Sequence, residues 1–262
     1  MFVQKKLTID VPIAVPVENL AQSASKVLFY PCSGSDLEVP VTHFAPVIDV
    51  FWFVDRGYFR PDHQDTSHKG MDRPADSISP IFKHPDFDYI RYTLEGPAVY
   101  DRHSVHIKPC VLTEFYLHIP TGRTIQLKFR RGYGFSGFDK EIRKLAVFFH
   151  RGDSEGEGGS DNNWYSSRNG RGTIWDKLED GGWIVTDLSL AYDQDVFRLI
   201  TDDINSGKIK KVSELLNPSF EFYSHKYNIT FTCIGFLGHR YGPTLAFRVD
   251  RGYKTTALLN RK

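Results

Sequence analysis

The chain has 262 residues with 33 basic against 32 acidic side chains, a near balance that excludes a generic polyanion binder and leaves only local patches. Its 40% apolar content is enough for a substantial core, read as one domain over 1–262 with an insertion at about 56–135. Cys32, Cys110 and Cys233, odd in number and far apart, exclude a disulfide framework and point to a reducing cytoplasm; no apolar run approaches the ~18 residues of a membrane span, and no signal peptide is expected.

Asn19 to Ser25 reads as a helical turn. Residues 26–31 read as a buried strand, because the apolar run is short and Pro31 ends it. A small-residue turn follows, Cys32-Ser33-Gly34-Ser35-Asp36. Val39 to Pro46 reads as a short helix with Pro40 in its first turn. Residues 48–54, β-branched and aromatic, form a second buried strand that ends at Asp55. Arg60 to Asp86 is a long polar loop containing Pro61, Pro74, Pro80 and Pro85. Residues 88–94 alternate like an exposed strand, and Val111–Ile119 and Thr124–Phe129 read as strands around the turn signal Pro120-Thr121-Gly122.

Phe138 to Arg143 looks helical and leads into the continuous apolar strand Leu145–Phe149. Arg151 to Gly172 is a loop rich in Gly, Ser, Asp and Asn, and Trp175 to Leu178 a short helix. Gly181-Gly182 turns into a strand ending at Asp187. Asp193–Ile204 and Ile209–Leu216 are helix candidates, the first with Val196, Leu199 and Ile200 on one face. Asn228–Phe236 and Thr244–Val249 form a hairpin across Gly238 and Gly242-Pro243. Strands alternating with short helices predict an α/β sandwich: a mainly parallel sheet, a C-terminal antiparallel hairpin and a β-rich insertion. The loops after 26–31, 48–54, 145–149 and 183–187 are then expected at one carboxyl edge, where ligands of such sheets bind.

The order of these features resembles a class I S-adenosylmethionine-dependent methyltransferase. Pro31-Cys32-Ser33-Gly34-Ser35-Asp36 is similar to the small-residue loop after that family's first strand, with one glycine where the family has two or three. Asp55 stands where the family places its ribose-binding carboxylate, and Leu178-Glu179-Asp180-Gly181-Gly182 is similar to the segment before its fifth strand. Ser160-Asp161-Asn162-Asn163-Trp164 resembles a tetrad that grips an amino group, with Asn162 and Asn163 in place of both prolines. The resemblance implies a Rossmann-like three-layer sandwich. It implies S-adenosylmethionine, or a related nucleoside ligand, held by Cys32, Ser33, Gly34, Ser35 and Asp55. Asp161 and Asn163 would orient the acceptor, and methyl transfer would proceed largely by positioning.

Two other classes stay open. One is a non-catalytic binding or assembly protein on a degenerate scaffold; the other is a hydrolase using Cys32 or Ser33, although no Gly-x-Ser-x-Gly elbow is present. Four glycines and four acids in 151–161 fit a lid or an inert loop better than a calcium loop. His103, His106 and Cys110 match no zinc spacing, so no metal is expected. Arg123, Lys128, Arg130 and Arg131, with Lys140, Arg143, Lys144 and interleaved aromatics, form a basic stretch open to a nucleic-acid backbone.

Overall fold

A computed structural model describes residues 7–55, 58, 80–95, 111–131, 138, 141–151, 164–166, 173–188, 196–239 and 242–252. The chain divides into two compact units: Ser25–Lys144, and Met1–Ala24 together with Leu145–Lys262.

The Ser25–Lys144 unit contains β1 (Val27–Pro31), α1 (Glu38–Phe44), β2 (Val50–Asp55), β3 (Phe87–Glu95), β4 (Val111–His118) and β5 (Arg123–Arg131). Its strands run in the order β3-β4-β5-β2-β1. β1, β2 and β5 are mutually parallel, whereas β3, β4 and β5 form an antiparallel meander. In β1 every residue after the first is buried, and in β2 so are Phe51 to Val54, as near-continuous apolar strands require. Phe51, Phe53 and Phe129 stack along one face of the sheet, with centroids 6.3 and 5.6 Å apart. α1 makes the β1–β2 crossover and buries Pro40, Val41 and Phe44. Pro31 lies level with Val54, so β1 and β2 end side by side. Ser25 Oγ donates to the Lys144 carbonyl at 2.9 Å and joins the two ends of the unit.

The other unit holds β6 (Leu145–His150), β7 (Leu178–Thr186), α2 (Arg198–Asn205), α3 (Val212–Leu215), β8 (Glu221–Ser224), β9 (Ile229–His239) and β10 (Pro243–Arg251). Its strand order is β6-β7-β10-β9-β8, with β6 and β7 parallel and the remaining pairs antiparallel. Leu145 pairs with Leu178 but Val147 pairs with Trp183, so β7 bulges at Glu179–Gly182. Gly181 there has φ +76°, and a Cβ on Gly182 would lie 2.8 Å from the Glu179 carbonyl oxygen. The Gly-Gly pair is therefore a requirement of the bulge. The N-terminal segment straps this unit. Thr8 donates to Lys210 at 2.8 Å, Ala14 and Phe236 exchange amide bonds at 3.0 Å, and Asp10 accepts from the Ser213 amide and hydroxyl. Those bonds hold the Asp10 carboxyl below its ordinary pKa.

The three-layer Rossmann-like expectation is overturned. The described residues contain ten strands and three short α-helices, and the antiparallel ladders outnumber the parallel ones. The apolar runs do pair in parallel, β1 with β2 and β6 with β7. A continuous apolar strand looks the same in sequence whether helices or irregular segments cover it, which is why the helix layers were overestimated. The helix expected at Trp175–Leu178 is a 3-10 turn at Ile174–Asp176, and Leu178 already belongs to β7. No described helix is long and apolar enough to cross a membrane.

His118 at the end of β4 is 4% exposed, with Nδ1 2.7 Å from Thr121 Oγ1 and its ring against Phe87. Burial holds its pKa below the ordinary 6.5; Asp86 opposes this, and Arg123 and His84 reinforce it. Burial acts the same way on His43 in the last turn of α1. The unfolded chain therefore binds protons that the native protein resists. The contribution of both histidines is complete above the unfolded pKa and is lost as pH falls below it. The denaturation midpoint should decline from about pH 7.5 to about pH 5.5, a window above most carboxylate titration, and the slope should shallow in His118→Gln. A flat midpoint across that window contradicts this reading.

Candidate functional site

The carboxyl edge of β1 and β2 is where the sequence places its ligand groups, and the structure joins several of them. β1 ends at Pro31, and Cys32 turns the chain with φ +52°, a left-handed conformation that costs a non-glycine residue roughly 1–2 kcal/mol. Gly34 adopts φ +52° as well, without a Cβ penalty. Its amide donates to Asp55 Oδ2 at 3.0 Å, linking the loop after β1 to the last residue of β2. Tyr58 completes the lock. Its hydroxyl donates to the Gly34 carbonyl at 2.9 Å and lies 2.7 Å from Ser33 Oγ. A phenol has one proton, so Ser33 is the donor in the second bond. Tyr30 on β1 donates to Asp36 Oδ2 at 2.7 Å.

Burial divides these groups by role. Ser33 is buried, and its hydroxyl proton points at Tyr58, an arrangement that stabilises the loop and leaves Ser33 poorly placed as a nucleophile. Tyr58 is buried against Phe129, ring centroids 5.7 Å apart. Burial first, and the charge of Asp55 second among the raising influences, push the Tyr58 hydroxyl well above its usual pKa, while the Ser33 bond opposes them. Tyr58 thus stays protonated and keeps donating. Cys32, Gly34, Asp36 and Asp55 are half-buried and Ser35 is exposed, so these present groups to solvent at the edge. α1 starts four residues beyond Gly34, and Leu37 at its N-cap makes no side-chain capping bond.

Sequence reasoning missed Tyr58, which is not adjacent to either strand-end motif. It also missed a buried polar group at the carboxyl ends of β6 and β7. His150 and Thr186, in register, end the two strands, and Arg151 and Asp187 follow them; all four are buried. His150 Nδ1 lies 3.1 Å from the Tyr165 hydroxyl. Arg151 Nη1 donates to Thr244 Oγ1 at 2.9 Å, and its guanidinium covers the Phe149 ring. Leu188, buried, has φ +58° and donates its amide to Thr186 Oγ1. The signal in the sequence was a charged residue directly after each apolar run.

The other expectations fare differently. Asp161 and Asn163, the rest of the 152–163 loop, and His103, His106 and Cys110 lie outside the described residues. Among the described residues no cluster of His, Cys, Asp and Glu is arranged to hold a metal ion. Much of the basic stretch is engaged internally. Arg123 donates to Asp49 and to the Pro46 carbonyl, Arg130 is buried against Glu141, and Lys128 Nζ sits 4.9 Å from the Trp52 ring centre. Arg131 is placed only by its backbone, paired with Asp55. Cys233 is buried, which pushes its thiol up to about 12 and leaves it inert. No protein-family model, curated protein or solved structure matches the chain.

Removing the Tyr58 hydroxyl tests the lock. Tyr58→Phe keeps the ring packing but leaves the Ser33 hydroxyl and the Gly34 carbonyl each short of a partner. Denaturant unfolding should show a loss of roughly 1–3 kcal/mol. A variant as stable as the parent would mean that the two bonds do not hold the loop.

Proposed function

We propose that the carboxyl edge of β1 and β2 binds a nucleoside-type small molecule, with S-adenosylmethionine the first candidate and Asp55 the residue that accepts from its ribose hydroxyls. The observation that carries this reading is the junction of Asp55 with the left-handed Cys32–Gly34 loop at the level ends of two adjacent parallel strands. Ligands of parallel strands favour that end, and a half-buried carboxylate there suits a pair of vicinal hydroxyls. A carboxylate has about four acceptor positions, of which the Gly34 amide takes one on Oδ2.

The same geometry favours binding over methyl transfer. Of the two loop hydroxyls that could donate to a ligand carboxylate, Ser33 is directed inward to Tyr58 and only Ser35 is exposed, and the Gly34 N–H is turned to Asp55. A ligand would be held chiefly by acceptors on this edge. That supports a binding protein that uses a strand-end loop without committing its groups to chemistry.

Titration calorimetry with S-adenosylmethionine and S-adenosylhomocysteine tests the proposal. Both should give saturable heats. Asp55→Asn keeps an oxygen for the Gly34 amide, so the fold should survive. It removes the charge that strengthens hydroxyl hydrogen bonds, so affinity should drop roughly ten- to hundredfold. No heat with either ligand, or unchanged affinity in the folded variant, would overturn the reading.

A further inference from the structure

We infer that the β7 bulge forms a binding site for a single neutral sugar ring, in the unit that does not contain Asp55. The bulge turns Asp180 and Gly181 outward beside the short 3-10 turn Val17–Leu20. A hollow of about 200 Å³ lies between them. Leu20 and Trp183, both buried, form its floor, and Asn19, Gln22, Asp180 and Arg248 its rim. Pockets for drug-sized ligands run from ~300 to ~1,000 Å³, so this one suits one small ring.

The rim carries hydrogen-bonding capacity that the protein does not use. Arg248 gives Nε and Nη2 to Asp250 Oδ1, at 3.0 and 2.8 Å, and this fixes the plane of its guanidinium. Among the described residues the guanidinium makes no other hydrogen bond, so the Nη1 donors remain available. Asp180 Oδ1 accepts from the Arg251 amide at 2.7 Å, leaving its second oxygen. The side-chain amides of Asn19 and Gln22 are exposed and make no hydrogen bond among the described residues. Ser23, which also lines the hollow, donates its hydroxyl to Glu179.

These groups select the ligand class. Each free amide offers a donor and an acceptor, Arg248 adds donors, and Asp180 adds an acceptor. A hydroxyl is both donor and acceptor, so a ring of adjacent hydroxyls matches every rim group at once. The guanidinium charge of Arg248 is already balanced by Asp250, with Asp180 beside it, so the site has no net attraction for an anion.

The test is protein-observed NMR of the full chain, following the Asn19 and Gln22 side-chain amides. Glucose, galactose, N-acetylglucosamine and inorganic phosphate are titrated separately at millimolar concentration. At least one sugar should shift both amides saturably, and phosphate should shift neither. In the double variant Asn19→Ala, Gln22→Ala, whose positions are exposed and whose fold should persist, the same sugar followed through the Gly181 amide should bind at least roughly tenfold more weakly. No shift with any of the three sugars, a response to phosphate alone, or undiminished binding in the double variant would overturn the inference.

Discussion

Asp55 holds the amide of Gly34 across the ends of two parallel strands, and the shape of the candidate edge depends on that contact. The chain must reverse directly after Pro31, and it does so through Cys32 in a left-handed conformation. Three hydrogen bonds stand against that strain: Gly34 to Asp55, Tyr58 to Gly34, and Ser33 to Tyr58. At ~0.5–1.5 kcal/mol net each, they offset the roughly 1–2 kcal/mol at Cys32. The buried Tyr58 ring keeps water from competing for the last two. A loop fixed in this way presents Cys32, Ser35, Asp36 and Asp55 in one arrangement, which lowers the ordering cost of binding a small ligand.

The second unit handles a related problem differently. β7 must follow β6 and also pair with β10, and it absorbs the mismatch in the Glu179–Gly182 bulge. Gly182 is pressed against the Glu179 and Ala146 carbonyls, so no side chain fits there. The outward turn at Asp180 and Gly181 follows from this packing, and with it the hollow beside Asn19 and Gln22. In both units the irregular backbone sits at a strand end or within a strand, anchored by buried aromatics: Phe129 behind Tyr58 in one, Trp183 under the hollow in the other.

Much of this was legible from residue pattern. The strands over 26–31, 48–54 and 145–149 are continuous apolar runs ended by a turn residue or a charge, and they stand where the pattern put them. The pattern put the loop after 26–31 and the end of 48–54 at one edge, but the hydrogen bond of Gly34 to Asp55 was not legible, since it depends on the register of the two strands. The layer count was not legible, because continuous apolarity reports burial on both faces without saying what covers them. The Gly-Gly at 181–182 marked a turn in the sequence, yet the same dipeptide serves a bulge when the neighbouring strand continues past it. Tyr58 could not be paired with Ser33 from spacing alone, since their contact depends on tertiary packing. Arg123 and Arg130 read as a basic face because their acidic partners, Asp49 and Glu141, are distant in sequence.

The central claim, that the Asp55 carboxylate fixes the strand-end loop through Gly34, is tested most directly by amide hydrogen exchange at that one residue. In the parent protein the Gly34 amide should exchange far more slowly than that of exposed Ser35. In Asp55→Ala it should approach the Ser35 rate, while the amides of β1 stay protected. Exchange at Gly34 as fast as at Ser35 in the parent, or unchanged protection in Asp55→Ala, would contradict the account.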